Sequence, residues 1–196
     1  MKQRPELEGI ILAAGTASRA GDFKLGWEIG GKAVLQKCTE NYLPFCDRII
    51  VVTGYEPERV RQLLRPYPEV AFVHNSGYEQ GMFTSVQTGF ARTKADRILV
   101  SPGDIPLVRE DVFHRLLATD TDVAIPAYLK RKGHPVLVSS RVRSAILAAD
   151  PKTTLKDVLN QFEPVIVPVA CEGILLDIDT ISDYNELKET HERNHP

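Results

Sequence analysis

The amino-acid sequence predicts an α/β protein, a three-layer α/β/α sandwich on a mostly parallel sheet. Two observations carry that expectation. Short apolar runs, rich in β-branched residues and with little polar alternation, recur along the chain, as strands covered on both faces require. Longer stretches between them repeat their apolar residues at helical spacing, and strand–helix alternation of this kind defines the layered α/β class. The 196 residues are enough for a sizeable core and contain no repeat, low-complexity run or composition break. One domain over residues 1–196 is therefore expected, with residues 190–196 as a frayed polar tail.

The first run, "GIILAA" (Gly9–Ala14), reads as a strand that dissolves into a basic, glycine-bearing loop. "RIIVVT" (Arg48–Thr53), "VAFVH" (Val70–His74), "RILVS" (Arg97–Ser101) and "DVAIPA" (Asp122–Ala127) read as further buried strands. "PVLVS" (Pro135–Ser139) and "GILLDID" (Gly173–Asp179) are expected as two more. "EPERVRQLLRPY" repeats apolar positions at Val60, Leu63 and Leu64, and "SVQTGFARTK" follows as a helix after the third strand. "REDVFHRLLAT", "SRVRSAILAAD" and "TTLKDVLNQF" carry the same periodicity, and "SDYNELKETHERN" closes the chain as a polar helix capped by Ser182. In such sheets ligands sit beyond the carboxyl ends of the strands. The segments that matter are therefore those after Ala14, His74, Ser101 and Asp177.

Composition excludes several functions. A net charge of -2 offers no field for nucleic acid or an anionic membrane. No apolar run approaches the ~18 residues of a membrane span. "MKQRPELEG" lacks the apolar core of a secretory signal, so a cytoplasmic location is expected. Cys38, Cys46 and Cys171 are irregularly spaced and read as reduced, packed thiols. "HERNH" (His191–His195) has the H-E-x-x-H form of a zinc site, but no apolar face anchors it at the chain's polar end.

The loop after the first strand fits neither common phosphate-loop pattern. Thr16 and Ala17 follow Gly15, so the second glycine of G-x-G-x-x-G is missing. Gly26, Gly31 and Lys32 match the Walker spacing, but Ala33 replaces the magnesium-binding hydroxyl and no buried strand precedes Gly26. What remains is L-A-A-G-x-x-x-R-x-G-x-x-K. Leu12, Ala13, Ala14 and Gly15 let a base or phosphate approach the backbone, and Arg19 and Lys24 supply cations suited to a triphosphate.

"LAAGTASRAGDFKL" resembles the signature of the MobA-like nucleotidyltransferases, and most closely that of the molybdenum cofactor cytidylyltransferases within them. The resemblance implies a Rossmann-like fold of the nucleotide-diphospho-sugar transferase type, with this loop around the triphosphate tail. It extends to "HNSGYEQGMFTSVQTGF", where Asn75, Gly81, Met82, Ser85 and Val86 match a segment that holds base and ribose in the family. Read without the resemblance, that stretch is a helix N-terminus capped by Thr84 or Ser85.

In "SPGDIPLV", Asp104 follows a glycine at a strand end in a turn stiffened by prolines, a good place for a Mg2+ ligand; it also matches the family's metal-binding aspartate. In "LLDIDTISDY", a strand would point Asp177 and Asp179 to one face, where like charges need a cation between them. Asp179 is the slightly favoured second ligand, and Ile181 stands where the family has proline. "KRKGHPVLVS" resembles the family's acceptor-side segment, which makes Gly133, His134 and Pro135 acceptor-binding candidates. Lys130, Arg131 and Lys132 suit a phosphorylated acceptor, or simply form a solvated loop. Ala20 and "GWEIGGKAV" depart from the family pattern.

The resemblance implies a Mg2+-dependent enzyme that moves CMP from CTP to molybdopterin and releases pyrophosphate, with Arg19, Lys24 and Asp104 as its catalytic residues. A molybdenum hydroxylase or its chaperone is the implied protein partner. Two alternatives stay open: cytidylyl, uridylyl or guanylyl transfer to a sugar or polyol phosphate, and a non-catalytic nucleotide-binding chaperone of the cofactor.

Overall fold

The computed structural model describes residues 6–15 and 23–194. The chain runs β1 (Leu7–Ala13), β2 (Glu28–Ile29), β3 (Lys32–Ala33), α1 (Val34–Glu40), β4 (Arg48–Thr53), α2 (Pro57–Leu63) and β5 (Val70–His74). It continues through α3 (Met82–Phe90), β6 (Arg97–Pro102), α4 (Glu110–Leu117), β7 (Val123–Tyr128), β8 (Arg131–Lys132) and β9 (Val136–Ser139). It ends with α5 (Ser140–Ala148), α6 (Leu155–Leu159), β10 (Val165–Pro168) and α7 (Ile181–Asn194).

The main sheet has the order β10-β7-β9-β6-β1-β4-β5, with β8 paired to β7. Pairing is parallel from β6 through β1 and β4 to β5, and again between β10 and β7. β9 is antiparallel to both β6 and β7. The segment from Tyr128 to Val136 explains that reversal, because a parallel crossover needs about a dozen residues or more. The sheet is mostly parallel, with helices on both faces, as expected.

β1 shows why its run is apolar throughout. Leu7, Ile11 and Ala13 join the core under α1, α2 and α4, alongside Leu35, Val60 and Val112. Ile10 joins the opposite core, with Val86 and Phe90 of α3 and Val142 and Ile146 of α5. A third cluster packs α7 onto the small β2–β3 ribbon through Leu187, Ile29, Val34 and Cys38. β1 is flanked by β4 on one side and β6 on the other, so the chain reverses direction across the sheet at its C-terminal end. Crevices form at such a switch point.

The structure corrects several expectations. Gly173–Asp179 is not a strand: Glu172–Leu175 forms a single 3-10 turn and the rest is irregular. The place beside β7 belongs to β10, and a Cβ at Gly173 would lie 1.9 Å from the Leu107 carbonyl oxygen. "GWEIGGKAV" is not a plain loop but the β2–β3 ribbon, turned by Gly30 (φ 58°) and Gly31 (φ 76°) and leading into α1. The Walker-like spacing thus falls on a hairpin. The last helix starts before Ser182, and its cap is Thr180, whose hydroxyl accepts from Asp183 N at 3.2 Å. α3 begins at Met82, so Thr84 and Ser85 lie inside it and do not cap it. Helix α7 runs to Asn194, with Thr190 buried. Among the described residues no helix is long and apolar enough to cross a membrane.

Candidate active site

Lys24, Asp104, Asp177 and Asp179 come from three distant segments and meet at the switch point. Lys24 opens the 3-10 turn Lys24–Gly26, with Phe23 and Leu25 buried on either side to hold its backbone. Asp104 stands in the turn after β6. That turn is tied to its surroundings by Gly103 N donating to the Leu12 carbonyl at 2.9 Å, and by the Cys38 thiol donating to the Gly103 carbonyl at 3.1 Å. Asn41 adds a bond from its side-chain amide to the Pro106 carbonyl at 3.0 Å.

The Lys24 ammonium lies 2.7 Å from Asp104 Oδ2 and 3.3 Å from Asp179 Oδ1, and it also donates to the Ile178 carbonyl. The Lys24 and Asp104 side chains are 18% and 15% exposed, so the pair is only partly screened by water. Burial alone would lower the Lys24 pKa, but the carboxylates of Asp104 and Asp179 outweigh it and hold the group above its ordinary value. Asp177 is pushed up, first by burial and then by the charge on Asp104, with Asp179 adding to it and Lys24 opposing. Asp104 Oδ1 is buried without a hydrogen-bond partner among the described residues. Three carboxylates around one ammonium, with one oxygen unpartnered, form a site with too little positive charge.

Asp179 is placed by a neighbour that sequence reading passed over. Asp183 Oδ2 accepts from Asp179 N at 2.9 Å and from Thr180 N at 2.6 Å, while Thr180 caps Asp183 in return. The spacing T-x-x-D before a helical pattern was the available signal. Ile181 takes the first helical position, where proline is equally at home, so the departure from the family pattern leaves the turn intact.

The other candidates divide. Ala13 and Ala14 are buried, and Gly15 is exposed with open space where a Cβ would stand. The Leu12 carbonyl is taken by Gly103, and that of Ala14 by Tyr55 N at 3.3 Å. Gly81 has φ 121° and open space where a Cβ would stand, and is exposed at the N-terminus of α3. Asn75 is buried and committed: its amide donates to Thr84 Oγ1 and Ser85 Oγ, both at 2.9 Å, and its Oδ1 accepts from Gly77 N at 2.9 Å. Gly133 and Pro135 are buried, with Gly133 pressed against Ile174, whose carbonyl oxygen a Cβ would approach to 2.3 Å. Burial holds the His134 imidazole below its ordinary pKa, against a backbone bond at Val100 and the charge on Asp104. Of these three residues His134 feels the charge on Asp104, while Lys130, Arg131 and Lys132 are exposed. Arg19 lies outside the described residues.

Among the described residues, no group of three or more His, Cys, Asp or Glu side chains is arranged to hold a metal by itself.

The fold defines a class. The chain superposes on a nucleotidyl transferase from Methanothermobacter thermautotroptrophicus with a TM-score of 0.84 at 22% identity, covering 97% of this chain and 99% of that one. A 4-diphosphocytidyl-2C-methyl-D-erythritol synthase from Anaerococcus prevotii gives 0.79 at 17% identity, covering 95% and 98%. Sequence then fixes the family: residues 9–165 match the MobA-like NTP transferase domain, and the chain belongs to that family of nucleotidyltransferases. It is 32% identical over 188 residues to the molybdenum cofactor cytidylyltransferase of Escherichia coli, covering 94% of this chain and 97% of that protein. A molybdenum cofactor guanylyltransferase from Shewanella loihica is 29% identical over 68% of this chain and 69% of its own length.

Proposed function

We propose that the protein transfers CMP from CTP to molybdopterin, with release of pyrophosphate. The observation that carries the reading is the junction of Lys24 with Asp104 and Asp179 in a chain similar along nearly its whole length to a cytidylyltransferase. The unpartnered Asp104 oxygen and the raised Asp177 carboxyl suit a divalent cation, which Asp104 would hold with Asp179 or Asp177. Magnesium bound there supplies charge neutralisation to the phosphate oxygens.

The protein's own residues mainly align and neutralise. The small segment Leu12–Gly15 and the Gly81 backbone bracket the nucleotide, and Lys24, with Arg19, offsets charge on the departing pyrophosphate. Asn75 and Ser85 serve that pocket by holding the β5–α3 turn in shape. Gly133, His134 and Pro135 wall the acceptor side, where Lys130, Arg131 and Lys132 meet the acceptor's phosphate. A molybdenum hydroxylase or its chaperone then receives the product.

Incubation with each NTP, Mg2+ and molybdopterin, followed by pyrophosphate release, tests this. Release with CTP and molybdopterin is expected. Release driven by GTP instead reassigns the nucleotide, release driven only by a sugar phosphate reassigns the acceptor, and nucleotide binding without release makes the protein a chaperone.

A further inference from the structure

The proposed function makes Lys24 a partner for phosphate, yet in the structure its ammonium sits among carboxylates. It contacts Asp104 Oδ2, Asp179 Oδ1 and the Ile178 carbonyl together, at 2.7 Å and 3.3 Å for the two carboxylates. Those are three oxygens of the kind a hard divalent ion prefers. The remaining oxygen of the same carboxylate, Asp104 Oδ1, is buried with no partner among the described residues. A lysine and a divalent ion cannot share these oxygens, because two cations so close repel strongly in a partly desolvated site.

We propose that Lys24 is the resident counter-ion of this corner, which competes with the divalent cation for Asp104 and Asp179 and is drawn off by the phosphates of the nucleotide. Lys24 then has two positions. Without nucleotide it neutralises the acidic corner and keeps affinity for the metal alone low. With nucleotide its flexible stem carries the ammonium to the phosphate tail, and the carboxylates are released to the metal. The exchange keeps the local charge nearly balanced in both states, and it makes metal and nucleotide bind as a unit. The inference rests on the nucleotidyltransferase reading of this corner and adds to it an order of events.

The test is Mn2+ binding to the full chain, read from the electron paramagnetic resonance signal of the free ion, with and without CTP. Lys24→Met keeps the apolar stem and removes the charge. It is expected to bind Mn2+ alone at least about tenfold more tightly than wild type, as loss of a like charge some 3 Å from the ligand oxygens implies. CTP should tighten Mn2+ binding in wild type and much less in Lys24→Met. Unchanged or weaker Mn2+ affinity in Lys24→Met overturns the proposal. The double variant Lys24→Met/Asp104→Asn separates the two levels: if it keeps the tight site, the ion binds elsewhere and the reading of the acidic corner falls as well. Should Lys24→Met fail to fold, acylation of Lys24 in wild type, followed by peptide mass spectrometry, takes its place. A rate that rises at Mn2+ concentrations shown by the binding signal to fill the site supports displacement, and a rate still unchanged with the site filled overturns it.

Discussion

Two corners at the same sheet edge are built in opposite ways. At the end of β5, Asn75 has both amide donors and its carbonyl oxygen paired within the fold, next to the Thr84 and Ser85 hydroxyls on α3. At the end of β6, Asp104 has one oxygen on Lys24 and the other without a partner among the described residues, beside a second carboxyl whose pKa is raised. A satisfied polar network makes its turn rigid. An incompletely neutralised one favours ligands that bring charge. Under the proposed function, the first corner serves as scaffolding and the second carries the chemistry.

Substitutions can break that contrast, and their effects should rank accordingly. Asp104→Asn should lower pyrophosphate release on the order of 10³-fold, with only a modest drop in the thermal transition from the lost Lys24 ion pair, since the site keeps its shape. Lys24→Met should cost ~10²–10³-fold in turnover, by analogy with removal of one electrostatic donor. Its stability effect carries a sign. The folded-state pKa of Lys24 lies above the ordinary value, so its stabilisation is complete below ~10.4 and is lost as pH rises through the folded value. Wild type and variant should therefore converge in melting temperature at alkaline pH.

Asn75→Ala should do the reverse of Asp104→Asn. It removes a partner from the Ser85 hydroxyl and the Gly77 N–H, while the Thr84 hydroxyl keeps the Gly81 carbonyl, and should lower the unfolding free energy by about 2 kcal/mol in urea titrations. Turnover should fall less than in either charge variant. The smallest effect is expected from Asp177→Asn. A carboxyl with a raised folded-state pKa is destabilising when ionised, so the substitution should raise the melting temperature at neutral pH by ~1–3 °C. The gain should vanish below ~3.9, where the carboxyl is protonated in both states.

Much of this architecture is written locally. Arg48–Thr53 and Val70–His74 are strands at the bounds their composition suggests, because unbroken β-branched runs have one stable use inside an α/β core. The region after Glu163 shows the limit. "VIVP" and "GILLDID" are both rich in apolar residues, yet the first pairs with β7 while Gly173 of the second packs against Leu107. α1 is short and lacks a polar side chain at its N-cap, Ala33, so periodicity gave it little signal. The residues of the acidic corner were readable as types, namely a lysine in a basic loop and aspartates at element ends.

By itself, then, the sequence determined the layered class, most of the strands and the set of charged residues that could serve a nucleotide, because burial pattern and residue chemistry are local properties. Only the tertiary structure decided that Asn75 is spent on its own turn, that Asp183 positions Asp179, and that Lys24 lies among carboxylates rather than in solvent. The Asn75 and Asp183 contacts are short in the chain but need the turn geometry the packing imposes, and the Lys24 contacts need segments far apart in the chain brought within 3 Å or so of one another. No periodicity encodes such distances; the packing of β1, β6 and α7 around one edge sets them.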